Sequence, residues 1–129
     1  MRGMIAFSVN DSVAGFRLRE RLEGRLGRVV TPRYRLRVNV RTRERAAAIT
    51  SGGDTARRNV IGTANWTLTQ SVGGARIETG RVEAFTSYSA TGSTVATQST
   101  QDDAEARLAI ILADMIVSRV LILTAEQTQ

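Results

Sequence analysis

The sequence predicts an α+β fold in which two helices pack on one face of a four-stranded, largely antiparallel sheet, in the order β-α-β-β-β-α. Three observations predict it. Residues 33 to 43, RYRLRVNVRTR, alternate strictly between arginine or another polar residue and Tyr34, Leu36, Val38 and Val40, the period of a strand with one apolar face. Two such alternating segments flank VGGA at 72 to 75, whose paired glycines suit the positive φ angles of a hairpin turn. Near each end of the chain the period changes from two to that of a helix.

The first strand is the apolar run Met4 to Val9. Asn10, Asp11 and Ser12 offer N-caps to a helix from Ser12 to Leu26, with Gly27 as its stop. Val13, Leu18, Leu22 and Leu26, flanked by Ala14 and Phe16, form its apolar stripe, and Arg17, Arg21 and Arg25 lie opposite. Pro32 marks the entry to the arginine strand, whose alternation blurs through residues 43 to 50 as in a twist or bulge. SGGD at 51 to 54 reads as a turn. A third strand starts at Arg57, with Val60, Gly62, Ala64, Trp66 and Leu68 on one side and a threonine-rich row on the other. The fourth runs from Arg76 to Tyr88, with a bulge expected at Gly80, and Ser89 to Gln98 reads as a loop. The last helix is expected from Thr100, its cap, to about Leu123, followed by a fraying tail. Its expected buried face is Ala104, Leu108, Ile111, Leu112, Met115, Val120 and Leu123; its wet face is Asp103, Arg107, Asp114 and Ser118. The apolar run from Leu108 to Leu123 contains Asp114, Ser118 and Arg119, and so reads as a buried helix rather than a membrane span.

At 129 residues the chain suits one domain, 1–129, with one core. Aromatic residues are only 5% of it, so the core is aliphatic. All 18 basic residues are arginine, against 12 acidic ones, a net charge of +6. A GC-rich genome would account for the absence of lysine; a preference for forked binding of carboxylate or phosphate oxygens is the functional counterpart. Residues 1–58 carry fourteen arginines and five acids, +9, and residues 59–129 four and seven, −3, which sum to the stated +6. The basic half therefore suits a polyanion.

The sequence holds no cysteine and no histidine. That removes thiol chemistry, disulfides, the usual general base and the commonest metal ligand. No Ser-His-Asp or Cys-His set can be assembled, so neither an enzyme nor a metal site nor a cofactor is expected. Asp102, Asp103 and Glu105 are explained by the positive end of a helix. The arginine row has three readings from the residues alone: phosphates of nucleic acid, an anionic lipid, or a solvated sheet face. Single-strand readers interleave aromatics, and Tyr34 and Trp66 fall in the apolar phase, so a basic nucleic-acid-binding α/β domain is the alternative and nucleic acid is not the expected partner.

With this element order, the segments YRLRVNV (34–40), the stretch ITSGGDTARRNVIGTANWTL (49–68), GGARIETGRVEAFTSYSATGSTVAT (73–97) and AEARLAIILADMIVSRVLIL (104–123) resemble the LptE family of lipopolysaccharide-assembly lipoproteins, in its short alphaproteobacterial form. The likeness runs over residues 4 to about 123. It implies a non-catalytic component of the lipopolysaccharide translocon at the periplasmic side of the outer membrane. Such a protein plugs and assists assembly of the LptD β-barrel and binds lipopolysaccharide. It further implies a lipidated cysteine behind a signal peptide, lying upstream of residue 1 in the full-length protein. By resemblance, Arg43, Arg45, Arg57 and Arg58, around SGGD, are the candidates for lipopolysaccharide phosphates. Arg33, Arg35, Arg37 and Arg41 are candidates for facing the polar interior of the barrel. A second basic position before the last helix is replaced here by Thr97, Gln98 and Ser99.

Overall fold

The computed structural model describes residues 5–10, 12–27, 33–49, 56–90 and 94–127. Six elements follow in the predicted order: β1 (Ile5–Val9), α1 (Val13–Leu26), β2 (Tyr34–Ile49), β3 (Ala56–Gln70), β4 (Arg76–Ala90) and α2 (Thr94–Gln127). The sheet order is β1-β2-β3-β4; β1 is parallel to β2, and the other pairs are antiparallel. SGGD and Met4 lie outside the described residues.

Alternation decides the architecture. Tyr34, Leu36, Val38 and Val40 of β2 are buried in register with Leu68, Trp66 and Ala64 of β3, and both helices cover that face. The intervening residues of each strand point the other way. In β2 the ladder runs past the expected blur to Ile49, with a register shift between Ala46 and Ala48. β1 is short, and Asn10 continues it with a side chain. Val40 N–H donates to Asn10 Oδ1 (2.7 Å) and Asn10 Nδ2 donates to Val40 C=O (3.1 Å), one more rung of a parallel ladder. The helix cap is Ser12, whose hydroxyl accepts from Gly15 N–H at 2.9 Å; Gly27, at φ 80°, ends α1.

The expected bulge at Gly80 is elsewhere. Leu68 pairs with Glu78 and Thr69 with Arg76, so Ile77 is the extra residue. From Glu78 to Tyr88 the even positions stay in phase. Gly80 lies opposite Trp66 because the indole covers it: a Cβ there would sit 2.5 Å from Trp66 Cζ2. Gly62 is covered in the same way by Leu112 and Leu108 of α2, at 2.8 and 2.9 Å from an added Cβ, which lets α2 lie close on the sheet. Gly73 (φ 83°) and Gly74 (φ 69°) form the hairpin turn.

α2 is longer than expected at both ends. It starts at Thr94, inside the expected loop, and β4 extends to Ala90. Thr100 is not its cap but an internal residue, donating to Thr97 C=O at 3.0 Å. The expected tail is helical to Gln127. The buried face comprises Ala104, Leu108, Ala109, Leu112, Ala113, Ile116, Val117, Val120 and Leu123. Ile111 and Met115, expected inside, are 39% and 40% exposed, because α1 and the sheet take the two sides on which Ala109, Ala113 and Ile116 lie. Phe16 likewise points outward from α1 at 68% exposure. By length and composition Thr97–Ala125 could cross a membrane, but half of its most apolar window is buried against the rest of the fold.

Asp114, expected on the wet face, joins the two helices. It accepts from Arg21 Nε (3.0 Å) and Nη2 (3.1 Å) and from Arg25 Nη1 (2.9 Å). The bonds from Arg21 hold its carboxyl below the ordinary carboxylate range; partial burial opposes them, and Arg25 adds to them. The stability from this depressed group is full above its unfolded value and is lost as pH falls through its folded value. The Tm difference between the parent and Asp114→Asn should therefore be largest at neutral pH and vanish in acid, as read by thermal melts across pH. Gly80→Val should cost about 1–3 kcal/mol through collision with Trp66, and Leu112→Asp at least about 3 kcal/mol by burying an unpaired charge. Both are measured by urea unfolding.

Candidate functional site

The sheet face turned away from the helices is built row by row from odd-numbered residues. Arg35 faces Thr69; Arg37 faces Thr67, which faces Thr79; Asn39 faces Asn65 and then Arg81. Arg41 faces Thr63 and then Glu83; Arg43 faces Ile61 and then Phe85; Arg45 faces Asn59 and then Ser87. Strand geometry spaces alternate residues by nearly 7 Å, so the β2 row from Arg35 to Arg45 runs about 33 Å.

All five arginines of that row are exposed, and among the described residues none of them makes an ion pair. Glu83 is the acid on this face of β4, two strands away from β2; it accepts from Arg81 (3.4 Å) and Thr63 (3.2 Å). Hydroxyls and amides line the row: Thr67 and Thr79 bond one another at 3.2 Å, and Ser87 donates to Asn59 at 2.6 Å. Two shallow depressions interrupt the face. One, about 300 Å³, lies between Ser8, Arg35, Arg37, Thr67 and Thr69. The other, about 470 Å³, lies between Arg41, Arg43, Asn65, Arg81 and Glu83. Guanidinium forks beside neutral donors suit phosphate or carboxylate oxygens. Among the described residues no group of three or more acidic side chains is placed to hold a metal ion.

The predicted site residues do not all share this face. Arg35, Arg37, Arg41, Arg43 and Arg45 do, and Arg33 is exposed immediately before β2. Arg57 has the same parity and pairs with Ala48 and Ser89. Arg58 has the opposite parity. It pairs with Tyr88, whose buried hydroxyl donates to Glu44 at 2.8 Å, and Gln101 of α2 donates to the same Glu44 oxygen at 3.1 Å. Burial, then the bond to Glu44, raises the Tyr88 pKa, and the Arg58 charge works against that rise. Burial also raises the Glu105 carboxyl nearby, helped by Asp102 and Glu44. Arg58 thus belongs to a mixed polar cluster at the helix side of the sheet, and Arg57 to the basic face.

Arg81, Glu83 and Phe85 (62% exposed), the last opposite Ile61 of the threonine-rich row, are members of the open face that sequence reasoning missed. Misplacing the bulge at Gly80 obscured the phase of β4. The unbroken even series Gly80, Val82, Ala84, Thr86, Tyr88, with only Ile77 out of step, is the signal that finds them.

Since parity separates the two neighbours, Arg57→Glu should weaken binding of a polyphosphorylated ligand and Arg58→Glu should not. Arg58→Glu should instead lower the Tm by placing a second negative charge beside Glu44 and Tyr88. Titration calorimetry and thermal melts on the two single variants read these effects separately.

The profile of the lipopolysaccharide-assembly family named LptE matches residues 6–120. A search of curated protein sequences returns no match. Among solved structures the chain is similar to a candidate lipoprotein from Caulobacter crescentus CB15, at TM-score 0.76 and 21% identity over 95% of this chain and 91% of that one. It is also similar to rare lipoprotein B from Shewanella oneidensis (TM-score 0.73, 15% identity, 98% and 99% covered). A minor lipoprotein from Acinetobacter baumannii follows, at TM-score 0.64 and 17% identity over 92% and 91%.

Proposed function

The chain belongs to the LptE lipopolysaccharide-assembly family, and from that membership we propose a non-catalytic outer-membrane lipoprotein that binds lipopolysaccharide and seats in, and helps assemble, the LptD β-barrel. Its full-length form is anchored by lipid at the periplasmic side. The observation that carries the ligand reading is the arginine row of β2, which makes no ion pair among the described residues, on a face whose one described acid is Glu83 of β4. Lipopolysaccharide presents phosphates, which guanidinium groups grip by paired, charge-assisted hydrogen bonds. In this reading Arg43, Arg45 and Arg57, at the end of the sheet towards residues 50–55, take the phosphates. Arg33, Arg35, Arg37 and Arg41 meet the polar, water-lined wall of the barrel. Arg58, on the other side of the sheet, stands outside the ligand site. A nucleic-acid ligand is the less supported alternative. It shares the electrostatics, but Phe85 is the one aromatic side chain on the open face among the described residues, and base stacking on a single ring gives little hold on a strand.

Affinity purification of the tagged, full-length protein from detergent-solubilised envelopes, read by mass spectrometry, tests the partner. A large β-barrel in roughly equal amount is the expected outcome; nucleic acid, or no partner, would favour the alternative. For the ligand, the variant Arg43→Glu/Arg45→Glu should bind lipopolysaccharide at least about tenfold more weakly, a change of about 1.4 kcal/mol or more, with an unchanged Tm. Equal affinity would exclude this part of the face.

A further inference from the structure

We propose that the isolated chain forms a two-fold dimer by antiparallel pairing of β4 with β4 of a second copy, in the register that sets Arg81 opposite Glu83. β4 is an edge strand. Its odd residues turn their backbone groups outward, as Ser87 and Ser89 show: Arg107 Nη2 of α2 donates to Ser87 C=O (3.3 Å) and Thr100 Oγ1 to Ser89 C=O (3.4 Å). That cover stops there. The outward N–H and C=O groups of Thr79, Arg81, Glu83 and Phe85 have no backbone partner among the described residues. Such an edge is a template for another strand.

Charge selects the occupant. In a two-fold antiparallel pair centred on Val82, Arg81 faces Glu83 of the second copy, Glu83 faces its Arg81, and Thr79 faces its Phe85. Both outward-pointing members of each pair exchange backbone hydrogen bonds. Moving the centre by one residue either way sets Arg81 against Arg81 or Glu83 against Glu83, which opposes pairing. The edge is thus complementary to itself in one register.

The helix layer favours the same axis. Thr86 Oγ1 donates to Ala104 C=O (2.7 Å), and Arg119 Nη2 donates to Glu78 (2.7 Å), so α2 runs antiparallel to β4 with Ile111 midway, beside Val82. Ile111 and Met115 lie on the side of α2 that carries Arg107, over the free edge, and are 39% and 40% exposed. Adding β4 of a second copy one strand step away, about 4.8 Å, brings the second α2 alongside the first on the same face of the sheet. Ile111 then meets Ile111 across the axis. One partner satisfies both the unpaired backbone and the outer apolar stripe. The product is a continuous eight-stranded sheet with both arginine rows on one face.

Sedimentation equilibrium across the micromolar range tests this, with Arg81→Glu, Glu83→Arg, the Arg81→Glu/Glu83→Arg swap and Ile111→Asp, each checked by circular dichroism. The expected pattern is a dimer in the parent and in the swap, with each single reversal dissociating at least about tenfold more readily, and a monomeric Ile111→Asp. Hydrogen exchange at the Thr79, Arg81, Glu83 and Phe85 amides should slow as concentration rises. A monomeric parent, a dimer indifferent to the charge series, a swap that fails to restore association, or unprotected edge amides would each overturn the proposal. It stands independently of lipopolysaccharide binding.

Discussion

The close seating of α2 on the sheet is the constraint on which the rest of the structure depends. Gly62 and Ala64 of β3 present almost no side chain where the helix crosses, and Leu108 and Leu112 fill that space. Bulk at Gly62 would lift the helix from the sheet and open a gap across the middle of the core. Trp66, next along the same row, needs the corresponding concession from β4, and Gly80 makes it. Small residue beneath large side chain thus recurs on neighbouring strands. It lets an aliphatic core with few aromatics reach native packing.

Once the helices occupy one face, period-two geometry leaves no choice for the other. Every arginine of β2 between Arg35 and Arg45 shares the phase opposite to Tyr34, Leu36, Val38 and Val40, so burying the apolar set exposes the charged one. The basic face is therefore a structural consequence of a well-formed core. Its content is still not dictated by folding: threonine, serine or glutamine would satisfy the same pattern. A row of unpaired like charges costs some self-repulsion, and a polyanionic ligand is the environment that turns this cost into binding energy.

Most of the architecture was legible because alternation and helical period are strong local signals. The alternation of β2 and β3, a cap within residues 10–12, Gly27 as stop and the glycine turn at 73–74 are read from a few residues each. What escaped depends on partners distant in sequence. Gly80 looks like a bulge until Trp66 is known to lie over it. Ile111 and Met115 look like core residues until α1 and the sheet have divided the circumference of α2 between them. Asp114 looks solvated until Arg21 and Arg25 arrive from α1. Thr94, Val95, Thr97 and Ser99 have weak helical preference, and the long helix they begin is continuous with the strongly apolar segment behind them. Of the candidate site, strand phase revealed the β2 row. Adjacent numbering misled at Arg57 and Arg58, because neighbours on a strand face opposite ways.

The two ends of the sheet manage their edges differently, and this bears on what each end can meet. Beside β1, Asn10 imitates one more rung, after which the margin of β2 is left with Arg41, Arg43 and Arg45, charges that discourage pairing with a like strand. Beside β4, two side chains of α2 cover the end near Ser87 and Ser89, and the remainder carries one positive and one negative residue on alternate rungs. A uniform row repels a copy of itself and attracts an anion. An alternating pair of opposite sign accepts a copy of itself in antiparallel register. On the proposed readings, the sign pattern along its strands separates anion recognition from strand pairing on the same sheet. Association through β4 leaves the arginines of β2, two strands away, free to engage a ligand.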